Sequence, residues 1–85
     1  MTSLGKGLGQ QTGGTPESDT REAVRILSMI AGVSIGTIEE ELGADPGRFI
    51  RDMRAAMAFP KFEVTGKQLF YLRDLRDRLV EKGLI

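Results

Sequence analysis

The side chains able to do chemistry in this 85-residue chain are carboxylates, cations and a few hydroxyls. There are 12 Lys+Arg and 12 Asp+Glu, and no His, Cys or Trp. Without His or Cys, most zinc sites, haem ligation, thiol chemistry, disulfides and Ser-His-Asp triads lack their ligand or base. No Ser, Thr or Lys nucleophile has an identifiable base, and the carboxylates lie scattered among Arg and Lys neighbours. A domain this short also leaves little room for a substrate pocket beside a core. The expectation is a protein that is not an enzyme and uses no metal or cofactor. Gly5-Lys6-Gly7-Leu8-Gly9 does not make a phosphate loop, because the G-x-x-x-x-G-K-[ST] spacing and a preceding strand are both missing. What remains is recognition chemistry. Arg48, Arg51 and Arg54 recur at i, i+3 and i+6. Each guanidinium is a planar, permanently charged fork of hydrogen-bond donors.

The elements that must position these arginines can be read from apolar spacing and caps. Residues 1–18 are glycine-rich, with Met1, Leu4 and Leu8 as their large apolar side chains. Ordering them would cost about 27 kcal/mol at roughly 1.5 kcal/mol each, so they read as a disordered tail. The domain is expected at 19–85. Ser18 or Asp19 can cap a first helix in which Ala23, Ile26, Leu27 and Ile30 share one face, ending near Ala31 with Gly32 as C-cap. Ser34 or Thr37 can cap a second, with a Thr37–Glu40 capping box and Glu39, Glu40 and Glu41 in its first turn. Ile35, Ile38 and Leu42 form its apolar face, and Gly43 ends it.

A third helix starts with Asp45 as N-cap and Pro46 at N1. Phe49, Ile50, Met53, Ala56 and Met57 line one side of it, and Pro60 stops it by Phe59. Thr65 and Gln68 make a second capping box, T-x-x-Q. The helix from Gly66 to Lys82 carries a stripe of Leu69, Leu72, Leu75, Leu79 and Val80, and Gly83 with Leu84 spells a Schellman stop. Asp74 and Arg78 form an i, i+4 pair. An alternative pairs residues 61–72 as a short β-hairpin wing.

Residues Ile38 to Met53 resemble the two-helix core of helix-turn-helix DNA-binding domains. Ile38 and Leu42 stand at the packing positions of the first helix, Gly43 at the turn, Asp45 at the N-cap, and Phe49 or Ile50 with Met53 at the anchors of the recognition helix. Gly suits the turn because a residue there takes positive φ. Two places depart from the family pattern. Glu39 stands where a small residue allows the helices to cross closely, and the spacing onward from Gly43 fits a turn one residue longer. The four segments make an all-α, four-helix domain, and the resemblance implies that its middle pair is in helix-turn-helix arrangement. It also implies DNA as partner. Arg48, Arg51 and Arg54 would lie on the exposed face of the recognition helix, Gly47 and Arg48 nearest the base edges, and Ser34 and Thr37 at the backbone. The expected function is a small DNA-binding regulator or accessory protein of prokaryotic or phage type, acting as a dimer.

Charge pulls the other way. Residues 34–60 hold three basic and five acidic side chains, and residues 61–85 six basic and four acidic. Three phosphate contacts would give a salt slope of only about −2.7. A second expectation is therefore a helical protein-interaction or assembly module. Its contact, to a second copy or another protein, would use Phe70 and Tyr71, projecting to the flanks of the leucine stripe, with Leu75, Arg76 and Leu79 of the last helix. Arg76 lies inside the leucine stripe and must snorkel or pair. No apolar run reaches the ~18 residues of a membrane span and no signal-peptide core precedes the helices, so a cytoplasmic protein without membrane partners is expected.

Overall fold

A computed structural model describes residues 16–85. The tail up to residue 15, with its Gly5–Gly9 string, lies outside the described residues. The rest is all-α: α1 spans Pro16–Met29, α2 Ile35–Leu42, α3 Ala44–Ala56 and α4 Gly66–Glu81. No strand forms among the described residues, so the wing at 61–72 is not what this segment builds. The reason is local. The Thr65 hydroxyl accepts from Gln68 N at 3.1 Å, and the Gln68 side chain accepts from Thr65 N at 2.9 Å. This box starts α4 and commits Leu69 onward to a helical period.

Several helix ends differ from the expectation. α1 begins at Pro16, where a missing N–H is harmless, so Ser18 and Asp19 lie inside the helix rather than ahead of it. It ends at Met29, and Gly32 is not a left-handed cap; among the described residues only Gly43 and Gly83 have positive φ. Ser34, not Thr37, caps α2: its Oγ accepts from Thr37 N at 3.1 Å. Glu39, Glu40 and Glu41 consequently fall beyond the first turn. α3 starts at Ala44 with Gly43 as N-cap, which moves Asp45 into the first turn and Pro46 to the third position, still among the orphan N–H groups.

The joint between α2 and α3 is one residue long. Gly43 N donates to Glu39 O at 2.9 Å, closing α2, and Gly43 O accepts from Gly47 N at 3.2 Å, opening α3. Its φ of 115° is open to glycine and strained for other residues. The turn is thus tighter than the spacing implied, not looser. At the other end of the chain the Schellman stop forms as expected. Gly83 has φ 74°, and Leu84 N donates to Leu79 O at 2.9 Å.

Every apolar residue assigned above to a helix's core-facing side from Ala23 to Met53 and from Leu69 to Leu79 is buried or packed on the core. Val33 and Val64, in the connections, are buried as well. α1 packs chiefly on α4, and α2 chiefly on α3.

Candidate interaction surfaces

The three arginines do not share a face. Arg48 and Arg51 are exposed on α3, and Arg51 Nε lies 3.7 Å from the Asp52 carboxylate. Arg54 is half-buried and turned inward. Its Nη2 donates to Ile30 O at 2.7 Å and to Val33 O at 2.8 Å. Those carbonyls follow the C-terminus of α1, where the helix dipole is negative and a cation is favoured. Arg54 Nε is buried with no hydrogen-bond partner. Positions i and i+6 differ by about 120° around a helix, enough to carry Arg54 from the solvated arc to the flank.

Gly47 is buried too, which corrects its expected position at an exposed recognition surface. A Cβ on Gly47 would collide with Glu39 Cγ, so α2 and α3 cross closely here. The small residue that permits this sits on α3, opposite Glu39, rather than on α2. Ser34 is exposed, but its hydroxyl is engaged, accepting from Thr37 N and donating to Thr37 Oγ1 at 2.9 Å. Of the six residues proposed for DNA, Arg48 and Arg51 keep exposed guanidinium groups. The carboxylates of Glu39, Glu40, Glu41, Asp45 and Asp52, on the same two helices, are exposed as well.

No family model, curated protein or solved structure matches the chain.

On α4, Leu75 and Leu79 are fully buried and belong to the core, so neither is available to a partner. Tyr71 is half-buried on Phe49 of α3, ring centroids 4.6 Å apart at 55°. Arg76 is half-buried and pairs with Asp77 at 3.1 Å, as a cation within a leucine stripe must. Phe70 does not flank the stripe. It stands opposite it, 73% exposed, and Val80 on the same helix is 51% exposed. The spacing places Val80 in the leucine stripe, but Leu79 fills that arc and Val80, about 100° further round the helix, faces water instead. The rest of α4's surface is charged and mostly paired: Arg73 grips Glu22 of α1 with Nε at 2.6 Å and Nη2 at 2.7 Å, and Arg78 meets Asp74 at 3.1 Å. Arg73's hydrogen bonds hold the Glu22 carboxyl below its usual range.

An open depression of about 300 Å³ lies between α1 and the link to α4, lined by Glu17, Thr20, Arg21, Phe62 and Glu63. Its walls carry no nucleophile with a base. Among the described residues no helix is long and apolar enough to cross a membrane, and no acidic cluster is placed to hold a metal ion.

Proposed function

We infer that this chain is a non-enzymatic helical interaction or assembly module, and that it meets a polypeptide partner through the outer face of α4. The observation that carries this reading is Phe70. A phenylalanine held in water on a rigid helix, opposite a complete core, adds nothing to the fold. Burying it against a partner would stabilise a complex by roughly 1.5–3 kcal/mol. The test replaces Phe70 with a photo-crosslinking phenylalanine and irradiates the protein with its source lysate. A polypeptide should attach at position 70 and not at Arg25 carrying the same label. Excess unlabelled chain should compete it away, and excess Phe70→Ser chain should not. A label that captures no polypeptide at position 70 overturns the reading.

Arg48 favours a second reading, DNA binding by α3. It is exposed and makes no ion pair with any described residue. With Arg51 it would supply two phosphate contacts and a salt slope of about −1.8. An amide-resolved NMR titration with a mixed-sequence duplex at low salt tests it. Shifts clustered at Ser34–Thr37 and Arg48–Arg51, weakening with salt and lost in Arg51→Ala, support it; a spectrum that does not move removes it.

A further inference from the structure

We propose that the partner of the outer α4 face is a second copy of this chain, with the two α4 helices packed antiparallel about a two-fold axis. The inference rests on the reading of that face as the contact surface. Phe70, Arg73, Asp77 and Val80 recur at i, i+3, i+7 and i+10, the spacing of a helix-pairing seam. All four lie on the solvent side of α4. Along the helix the seam runs apolar, cation, anion, apolar. Reversed, it runs apolar, anion, cation, apolar. An antiparallel copy therefore sets Phe70 on the partner's Val80 and Arg73 on the partner's Asp77, and each contact occurs twice. Arg73 gives Nε and Nη2 to Glu22, which leaves Nη1 for the second carboxylate. Asp77 uses Oδ1 toward Arg76, which leaves Oδ2.

The flank of the seam points the same way. Lys67 and Glu81 are exposed and make no ion pair with any described residue. They are 14 positions apart, about 21 Å along the helix. Antiparallel packing brings Lys67 to the partner's Glu81 at both ends. Parallel packing would face Arg73 with Arg73 and Asp77 with Asp77, which like-charge repulsion disfavours. With two apolar side chains from each copy the seam is short, so the dimer forms reversibly at high concentration.

Sedimentation velocity on the full chain, from about 10 μM to about 1 mM, reads the association. Wild type should shift from monomer to dimer across this range. Phe70→Ser should stay monomeric with an unchanged thermal melt. Lys67→Glu and Glu81→Lys should each weaken the dimer about tenfold, and the double variant Lys67→Glu/Glu81→Lys should restore it. The chain lacks cysteine, so orientation can be read by disulfide trapping. Lys67→Cys mixed with Glu81→Cys should cross-link under oxidation, and neither should do so alone. A monomer throughout the range overturns the proposal, as does a Phe70→Ser chain that still dimerises or a Lys67→Cys protein that cross-links to itself. A monomeric chain that still attaches a different polypeptide at position 70 overturns only the second copy; no attachment of any polypeptide ends both readings.

Discussion

Between α1 and α4 burial is repeated turn after turn: Ala23, Ile26 and Leu27 on one helix, Leu69, Leu72, Leu75 and Leu79 on the other. Between α2 and α3 the buried residues are fewer and of more mixed kinds. α2 buries Ile38, and α3 buries Pro46, Gly47, Ile50 and Met53. What fixes the second pair is a set of residues each used once for its geometry: Gly43 for its positive φ, Gly47 for its missing Cβ, Arg54 for its fork. The first pair tolerates a change of residue type as long as volume is kept. The second depends on residue identity, and no neighbour duplicates what each residue does.

The largest expected effect lies in the first pair. Leu75→Ala leaves a cavity at a fully buried position and should lower stability by about 3 kcal/mol in a urea melt, whereas Leu75→Met should cost under about 1.5 kcal/mol. Arg54→Met keeps the stem but strands the carbonyls of Ile30 and Val33. It should cost about 2 kcal/mol, with hydrogen-exchange protection lost first in the α1–α2 connection. An Arg54→Met protein as stable as wild type would dissolve the contrast between the pairs.

Gly47→Ala should cost about 1–2 kcal/mol through its collision with Glu39 Cγ. In a Glu39→Ala background the same change should become neutral or stabilising, because alanine's helix preference then acts unopposed. The smallest effect is electrostatic. Arg73 lowers the Glu22 pKa in the folded protein, so the pair's contribution is complete above the ordinary carboxylate range. It is lost as pH falls through the lowered value. The pair is partly exposed, so the loss should stay under about 1 kcal/mol and vanish in Glu22→Gln when urea midpoints are compared across that range.

Much of this fold is legible in the sequence because its signals are local. The Thr65–Gln68 box, the Gly83–Leu84 stop and the four leucines of the stripe each involve residues within a turn or two of one another, and all form as read, while Val80 leaves the stripe. The site is less legible. The apolar spacing of α3 gives the angle at which Arg54 leaves the helix, but not that the α1–α2 connection presents two carbonyls there. That contact bridges 24 and 21 residues. Gly47 likewise reads as a flexible first-turn residue until Glu39 is placed opposite it. The i, i+7 spacing of Gly47 and Arg54 was the available sign that both lie on one flank of α3. Phe70 was legible as an aromatic beside the stripe; that it points away from the core follows from the wheel angle.

The shared cap at Gly43 bears on how this chain can change length. Most helix connections absorb a gained or lost residue by bulging, and so they collect insertions and deletions. A joint of one residue has no slack to bulge. A residue added at the start of α3 would turn the rest of that helix by about 100° about its own axis relative to α2, carrying Ile50 toward the exposed position now held by Arg51. The joint works as a frame marker: point substitutions can be tried along α2 and α3 one by one, but a single-codon insertion at 43–44 would scramble which side of α3 faces inward.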